Sequence, residues 1–420
     1  MQIEDVIAQL KEPVKAEALR PHWEQTLAAD DGGTPVFLLP ATITQNRIDS
    51  ALPSEAEEPL QETARRIIAN PVLRLLARHC YHLLYEFSDF SAFGSWPSFE
   101  ATLGERGGVF YLLIMLAAIP RIRQTHKKIG IPEAITQATC NRCDSAERYR
   151  ATHQGRWGSD RSSLYWIRHY VNGELCRIGR MEYMLRDYNG RVEVYRNTES
   201  GQTLALVPDG TCIDAQGQVV KPPAQNPGAT WTATLQITND YINGFPVSPF
   251  GLVVHQPVSL PASAWRRVLS KGDWTMDMHI PPGGGMTPEK CAESMRQGAE
   301  FFKRYFPEKP FTSITCVSWL FNTQLEEILP SKANLLLFQH ELYLYPVPST
   351  GKDGFVFIFG KDDVTPETGP RETSLQRAIL DFLAAGNTWR NGGMFFLVED
   401  LPQFGSQVYR RRWPAGSPVL

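Results

Sequence analysis

The sequence lacks an excess of charge of either sign. Its 420 residues contain 42 Lys and Arg against 45 Asp and Glu, which leaves a formal net charge of −3. Proteins that bind nucleic acids or anionic membrane surfaces through their overall charge carry a clear basic excess. We therefore expect neither nucleic acid nor membrane as a partner.

The sequence also lacks a hydrophobic run long enough to cross a membrane. The longest run, Val109 to Ile119, is well short of the ~20 residues of a spanning helix, and Gly108 and Pro120 bound it. We interpret it as a buried core helix. The first residues, Met1 to Asp5, show neither the basic nor the apolar region of a secretory signal, so a cytoplasmic location is expected.

Cysteine and histidine are too few and too scattered for a disulfide framework or a metal site. Seven cysteines in a long chain fit reduced thiols. Cys140 and Cys143 have the spacing of one of the two ligand pairs of a zinc site, but no second pair accompanies them. His79 and His82, with Glu86 one turn further on, would need ligands from another helix, which favours core histidines. No metal is predicted.

The length suggests two or three domains. From Ile3 to about Arg150 the apolar residues recur at helical spacing, which predicts an α-helical domain over residues 1–150. The segment from Cys140 to Asp160 is polar and charged and is expected to be the linker. Residues 151–420 are then a second domain.

The second domain begins with signals for short antiparallel strands. Three turn dipeptides, Asn189-Gly190, Asp209-Gly210 and Asn243-Gly244, separate short segments rich in β-branched and aromatic residues. An antiparallel β meander is therefore predicted there, and the fold class of the whole chain is α+β.

A strand, a glycine-rich turn, a helix and a second strand follow. Residues Trp274 to Ile280 alternate between apolar and polar side chains, and Pro281 to Met286 form the turn. Thr287 and Pro288 are a typical N-cap and first helical residue. The next strand runs from Phe311 to Leu320, so the pattern predicts a βαβ unit with parallel strands and a right-handed crossover.

The last hundred residues are expected to complete the sheet of that unit. Segments Asn334 to Tyr345 and Phe355 to Phe359 are predicted to extend it as strands. Leu375 to Ala385 is predicted to be a helix ended by Gly386, and Met394 to Val398 a strand that closes the sheet.

The turn Gly283-Gly284-Gly285 is the most informative local feature. Glycines permit positive φ and close backbone approach, and the free N–H groups of a helix N-terminus attract phosphate oxygens. The alternative is a flexible connection, because neither a Walker lysine nor the Rossmann glycine spacing is present. The candidate cofactor-binding residues are Ile280, Gly283, Gly284, Gly285, Met286 and Thr287. The earlier glycine-rich stretch, Gly104 to Gly108, is interpreted as a tight turn.

Two pairs of polar residues lie on the strands of the βαβ unit. Asp277 and His279 share a strand face, and a carboxylate beside an imidazole suits a general base, although a structural hydrogen bond is the simpler alternative. Cys316 and Ser318 share a face of the next strand and would supply a nucleophile or line a pocket. The simpler alternative for this second pair is packing.

Seven segments carry a resemblance to a known family. They are Leu164–Tyr170, Ile178–Tyr183, Gly244–Gly251, Met278–Pro288, Cys316–Leu320, Leu375–Leu380 and Gly392–Leu397. On these segments the chain resembles bacterial acyltransferase domain-containing proteins, which join a helical N-acyltransferase N-terminal domain to a GNAT-like C-terminal domain. The family's usual glycine signature, Gln/Arg-x-x-Gly-x-Gly/Ala, is replaced here by three adjacent glycines.

The resemblance implies a GNAT-like fold and transfer of an acyl group from acetyl-CoA or another acyl-CoA to a small-molecule amine. The strand ending at Ile280 would then hold the thioester, and the triple-glycine turn would bind the pyrophosphate. His279 with Asp277 would take the proton from the attacking amine. Tyr343 or Tyr345 would protonate the departing thiolate. Two alternatives stay open: a GNAT-shaped binding or regulatory module without turnover, and a thiol enzyme that uses Cys316.

Overall fold

A computed structural model describes residues 1–12, 16–91, 93–221 and 231–413. The chain divides into two compact units, Met1–Arg177 and Ile178–Leu420. The division falls after residue 150 because the segment expected to be a linker is folded into the helical unit. There the Arg142 N–H donates to the Ser50 carbonyl at 2.9 Å, and the Ser159 N–H donates to the Gly108 carbonyl at 3.0 Å.

The first unit is helical, as predicted. Its α-helices are α1 (Ile3–Leu10), α2 (Trp23–Ala29), α3 (Pro40–Asp49), α4 (Glu57–Ala69), α5 (Pro71–Tyr85), α6 (Glu100–Leu103), α7 (Gly107–Leu116), α8 (Ile119–Ile129), α9 (Glu133–Cys140), α10 (Cys143–Thr152) and α11 (Arg161–Val171). Short 3₁₀ helices cover Ala16–Leu19, Val36–Leu38, Ser54–Ala56, Phe93–Ser95 and Gly104–Arg106.

The most apolar part of this unit is its core. Every residue of α7 from Val109 to Leu116 is buried. The helical stretch Glu100–Ile129 is long and apolar enough to pass for a membrane span, but 72 % of its most apolar window is buried inside the protein. This burial is what a core helix of a folded domain shows.

The second unit is built on β-sheets. Its strands, the first of which crosses the boundary between the units, are β1 (Cys176–Ile178), β2 (Met181–Asp187), β3 (Glu193–Asn197), β4 (Thr203–Leu206), β5 (Cys212–Ile213), β6 (Val219–Val220), β7 (Trp231–Thr232), β8 (Leu235–Ile237), β9 (Tyr241–Gly244), β10 (Pro246–Ser248), β11 (Leu252–Val253), β12 (Val258–Pro261), β13 (Trp265–Leu269), β14 (Trp274–His279), β15 (Ser313–Ser318), β16 (Tyr343–Pro346) and β17 (Gly392–Leu397).

The strands form a large mixed sheet and smaller antiparallel sheets. The large sheet has the order β1-β2-β14-β15-β17-β16, and the next has the order β11-β10-β4-β3-β13. Two three-stranded sheets have the orders β12-β9-β8 and β6-β5-β7. The antiparallel pairing of β3 with β4 and of β8 with β9 confirms the antiparallel part of the predicted fold class.

The predicted unit of strand, turn, helix and strand is present. Strands β14 and β15 pair in parallel, with Met276 opposite Ile314. The helix between them is α12 (Pro288–Tyr305), and the Thr287 hydroxyl caps it by accepting the Lys290 N–H at 3.4 Å. The remaining helices of this unit are α13 (Leu325–Ile328), α14 (Asn334–Glu341), α15 (Phe355–Phe359), α16 (Ser374–Ala384) and α17 (Val408–Arg411), with 3₁₀ helices at Trp319–Phe321 and Val398–Gln403.

The predicted strands over 334–345 and 355–359 are wrong except at β16. Short apolar runs fit a strand and a buried helix equally well, so tertiary packing decides between them. In α15, Phe355 and Phe359 are one helical turn apart, and both are buried in a cluster that includes Trp389. Gly354 and Gly360 bound this helix with φ of 83° and 76°. The predicted closing strand exists as β17, but it lies inside the sheet between β15 and β16.

His79 makes the stability of the helical unit depend on pH. Its side chain is fully buried; Nε2 is 2.7 Å from the Leu19 carbonyl oxygen and Nδ1 is 2.8 Å from the Thr26 hydroxyl. Burial lowers the pKa of His79 from 6.5 to about 4. Between these two values the unfolded chain binds a proton that the folded chain does not, so stability falls as pH falls.

We expect unfolding at pH 5.0 to cost about 2 kcal/mol less than at pH 7.5 because of His79 alone. Urea unfolding of the full chain at both pH values measures this. In His79→Gln the difference between the two pH values should shrink by about that amount. In the control His153→Gln, which replaces a half-buried histidine of the same unit, the difference between the two pH values should stay as in the wild type. An unchanged pH dependence in His79→Gln would contradict the assignment.

Candidate functional site

Strands β14 and β15 diverge at their carboxyl ends. Their parallel ladder joins only Met276 to Ile314 and Asp277 to Thr315, although the strands continue to His279 and Ser318. Beyond that point the two strands share no further ladder pair. Open α/β sheets bind ligands outside the carboxyl ends of such strands, at a break in the pairing order.

A cavity of about 240 Å³ lies on one face of the sheet at this place. The pairing register puts Asp277, Thr315 and Val317 on that face, because side chains of a strand alternate between its two sides. Its lining includes Arg186, Asp277, His279, Thr315, Cys316, Val317 and Tyr345.

Asp277 lies between an imidazole and a guanidinium. Its Oδ2 is 3.3 Å from Nε2 of His279 and 3.3 Å from Nη1 of Arg186. The Asp277 and His279 side chains are 20 % and 26 % exposed, so both are partly shielded from water while still reaching the cavity. The structure therefore brings together the two residues that the sequence analysis paired. A carboxylate in this position orients the imidazole.

Glu182 is a further carboxylate at this site, and the sequence analysis did not single it out. It lies directly opposite His279 in the antiparallel pairing of β2 with β14, and it is 8 % exposed. A buried carboxylate is retained only where it has polar partners. The available signal was one glutamate within the otherwise apolar run Met181–Leu185, but its position beside His279 depends on the register between two strands, with the two residues 97 positions apart in the sequence.

The triple-glycine turn is open to solvent. Gly283, Gly284 and Gly285 are all exposed and have φ of 77°, 69° and 67°, a region that glycine adopts without steric cost. A methyl group added at Gly283 or Gly285 would meet no other atom within 4 Å. The turn is therefore not sealed by protein, and a ligand has access to the N-terminus of α12.

Two cations flank this turn and fix two of its carbonyl groups. Nε of Arg180 donates to the Gly285 carbonyl oxygen at 2.6 Å, and Nζ of Lys290 is 3.3 Å from the Gly284 carbonyl oxygen. Because these carbonyls are held by cations, the turn presents positive charge beside the N-terminus of α12. This combination suits a phosphate ester.

The other candidate cofactor-binding residues lie on either side of the turn. Ile280 follows the last paired residue of β14, and Met286 is partly buried. The Thr287 hydroxyl already accepts a hydrogen bond from the Lys290 N–H, so it caps α12. Its role in the structure is to start the helix.

Cys316 and Ser318 lie in surroundings that do not favour nucleophilic catalysis. Burial, with the nearby Asp277 charge as a smaller cause, raises the pKa of the Cys316 thiol well above its usual value. Reactive cysteines need the opposite shift. The Ser318 hydroxyl accepts a hydrogen bond from the Leu320 N–H at 3.2 Å and caps the short helix that follows.

The two tyrosines proposed as thiolate acids differ in access. The Tyr343 hydroxyl donates to the Val247 carbonyl at 2.5 Å and accepts from the Ala205 N–H at 3.2 Å, so it is committed to the protein. Tyr345 lines the cavity and shares a hydrogen bond with Tyr188. Its ring lies over Gly393, where an added Cβ would be 2.2 Å from the ring. Of these two tyrosines, Tyr345 is the one that lines the cavity.

The remaining cysteines and histidines do not assemble into a metal site. All seven cysteines fall in the described part of the chain and are free thiols. Across residues 1–12, 16–91, 93–221 and 231–413, no group of three or more His, Cys, Asp or Glu has an arrangement that would hold a metal ion. His79 and His82 both lie near the Thr26 hydroxyl in the helical unit.

Comparison with known families agrees with the geometry of the two units. The family model of the N-acyltransferase N-terminal domain matches residues 45–173, and that of the GNAT-like C-terminal domain matches residues 175–396. The chain belongs to the GNAT-like C-terminal domain family. The matched range of this family contains β14, the triple-glycine turn, α12 and β15. Comparison with curated proteins finds no match.

Solved acyltransferase structures share the fold over almost the whole chain. One, an acyltransferase in complex with decanoyl-CoA and teicoplanin, has a TM-score of 0.62 at 18 % identity and covers 95 % of this chain and 100 % of its own. A mutant acyltransferase in complex with octanoyl-CoA has a TM-score of 0.60 at 19 % identity, with coverages of 94 % and 99 %. At these identities the likeness establishes the fold.

The thiols provide a test of the site's chemistry. Cys143 is the least buried of the seven cysteines, and the other six are buried. We expect one thiol of the native protein to react rapidly with a disulfide reagent such as 5,5′-dithiobis(2-nitrobenzoate). Cys143→Ser should abolish that rapid phase, and Cys316→Ser should leave it unchanged. Loss of the rapid phase in Cys316→Ser would instead identify a reactive thiol at the cavity.

Proposed function

We propose that this protein is an acyl-CoA-dependent N-acyltransferase that passes an acyl group directly to the amine of a small molecule. The observation that carries the proposal is the open triple-glycine turn, which enters α12 beside the point where β14 and β15 diverge. The family and the neighbours that were solved with acyl-CoA support the same activity. The seven free thiols fit a cytoplasmic protein.

The turn and its flanking cations would bind the diphosphate of the acyl-CoA. Pro288 has no N–H and the Lys290 N–H is bound by the Thr287 hydroxyl, so the Glu289 N–H would be the donor of the first turn, and the helix dipole favours negative charge at that end. Arg180 and Lys290 add two positive charges at the same place. Met286 and Gly283 to Gly285 then contribute backbone donors, whereas Thr287 holds the helix start.

The diverging strands would hold the thioester. The Ile280 N–H lies beyond the last ladder pair and would donate to the thioester carbonyl oxygen as negative charge develops on it, since Pro281 and Pro282 have no N–H. The acyl chain and the amine would meet in the cavity on that side of the sheet. This arrangement brings the reacting atoms together without a covalent enzyme intermediate.

His279 would accept the proton that the amine loses on attack. The amine nitrogen bonds to the carbonyl carbon, the C–S bond breaks, and the CoA thiolate takes up a proton. Asp277 would stabilise the imidazolium form of His279, and Tyr345, which lines the cavity, would protonate the thiolate. The acceptor belongs to the chemical class of small-molecule amines; one of the neighbours was solved with teicoplanin.

Replacement of His279 tests the catalytic assignment. We expect His279→Ala to lower kcat about 10²-fold, because a positioned general base contributes about that much, and to leave decanoyl-CoA affinity nearly unchanged. Release of free CoA thiol in the presence of amines measures kcat. The matched control is His340→Ala, because His340 is another histidine of this unit paired with a carboxylate, Glu326, at 2.8 Å. Equal kcat in the wild type and His279→Ala would refute the assignment.

Replacement of Lys290 tests the diphosphate site separately. Lys290→Ala should weaken CoA binding about 5- to 10-fold, because one charge-assisted contact is lost. Lys303→Ala, at the other end of α12, serves as the control and should bind CoA as the wild type does. Isothermal titration measures both affinities. If CoA binds but no amine promotes release of the CoA thiol from an acyl-CoA, the protein is the GNAT-shaped binding or regulatory module without turnover. Equal weakening in both variants would argue against the turn as the binding site.

A further inference from the structure

A buried carboxylate lies beside His279 on the neighbouring strand. Glu182 of β2 is directly opposite His279 of β14 in their antiparallel pairing. Residues opposite each other in such a pair lie on the same face of the sheet, with their Cβ atoms about 4.5–5.5 Å apart. Glu182 is 8 % exposed. Because burying a carboxylate is costly, an apolar residue would suit this position of β2 better unless the charge has a use.

The backbone on both sides of Glu182 is held against α12. The Met181 N–H donates to the Ser294 hydroxyl at 3.1 Å, and the Tyr183 hydroxyl is 3.0 Å from the same oxygen atom. Both neighbours of Glu182 are therefore fixed on the α12 side of the sheet. Since side chains of a strand alternate between its two faces, Glu182 lies on the opposite face, together with His279.

The register of the two strands assigns the residues of β2 on this face to different partners. Glu182 is opposite His279, and the next residue of β2 on the same face, Met184, is opposite Asp277. Arg186 follows and reaches Asp277 at 3.3 Å. The charged group that β2 places directly across from the imidazole is therefore the Glu182 carboxylate.

Glu182 lies outside the cavity at this end of the sheet. Within the described part of the chain, the lining of that cavity includes Asp277 and His279 but not Glu182. Nε2 of His279 is the nitrogen on the cavity side, because it is 3.3 Å from Oδ2 of Asp277. The other nitrogen, Nδ1, is next to the carbon that joins the ring to its Cβ, within reach of a cross-strand neighbour. A carboxylate there would act on the imidazole without touching a substrate.

We propose that Glu182 is a positioning residue whose carboxylate accepts a hydrogen bond from the Nδ1–H of His279. In a neutral imidazole one nitrogen carries the proton and the other is basic, and the hydrogen bond that one makes fixes the role of the other. Nε2, on the cavity side, is then the basic nitrogen. The effect of Glu182 on turnover rests on the proposed function, whereas the position of the proton on His279 does not.

The position of that proton is measured in the full chain labelled with ¹⁵N at histidine. Long-range ¹H–¹⁵N spectra in mildly alkaline solution distinguish the two neutral forms of the ring, and the spectrum of His279→Ala identifies its signals. We expect the proton on Nδ1 in the wild type. In Glu182→Met, which has a similar length but accepts no such hydrogen bond, a large fraction should carry it on Nε2.

Either of two results overturns the proposal. One is a wild-type His279 whose neutral ring carries its proton on Nε2, which needs no variant to observe. The other is the same proton position in the wild type and in Glu182→Met.

Two further variants separate this role from packing. Glu182→Gln keeps an acceptor oxygen and should retain the proton on Nδ1. The control Glu193→Met removes a partly buried carboxylate from β3 of the same unit and should leave the signals of His279 unchanged. Loss of the Nδ1 proton in Glu193→Met as well would show that the change is not specific to Glu182, and would count against the proposal.

Turnover is the second readout. Glu182→Met should lower kcat about 10-fold or more, because part of the protein then holds the base in the wrong form, and leave CoA affinity and the KM of the amine nearly unchanged. In the His279→Ala background the same change should have no further effect, because Glu182 acts through His279. A further loss of kcat in that background would overturn the proposal. If the wild type releases no CoA thiol with any amine, the proposed function fails, and the proton position still decides the role of Glu182.

Discussion

The constraint on which the site depends is the separation of two parallel strands at one end. β14 and β15 share a ladder as far as Asp277 and Thr315 and then diverge. A continuous ladder would leave backbone N–H and C=O groups satisfied by their neighbours, whereas a diverging pair leaves backbone polar groups that need other partners. The triple-glycine turn follows β14 and leads into α12.

The side chains around this opening form a chain of opposite charges. Arg186, Asp277 and His279 follow one another on one face of the sheet, and Glu182 lies opposite His279 on the neighbouring strand. Partial burial strengthens these interactions relative to those of fully exposed ion pairs, because water screens them less. His279 is thus flanked by a carboxylate on its own strand and by another on the neighbouring strand.

The parts that could be predicted from the sequence are those with local signals. The alternation in Trp274 to Ile280, the cap at Thr287 and the glycines before it specify β14, the turn and α12 without reference to the rest of the chain. Phe355 to Phe359 has no such signal, and its burial against Trp389 decides that it is helical. The pairing of Asp277 with His279 follows from strand periodicity, but the position of Glu182 requires the register between β2 and β14.

Binding observed at the turn itself tests the central claim most directly. In protein labelled with ¹⁵N at glycine, the amide signals of Gly283, Gly284 and Gly285 report on any group that approaches their N–H bonds. If the turn binds a diphosphate, titration with decanoyl-CoA should shift these signals strongly, and decanoyl-pantetheine, which lacks the diphosphate, should not. If decanoyl-CoA binds while all three signals stay unmoved, the diphosphate lies elsewhere and the account of the site is wrong.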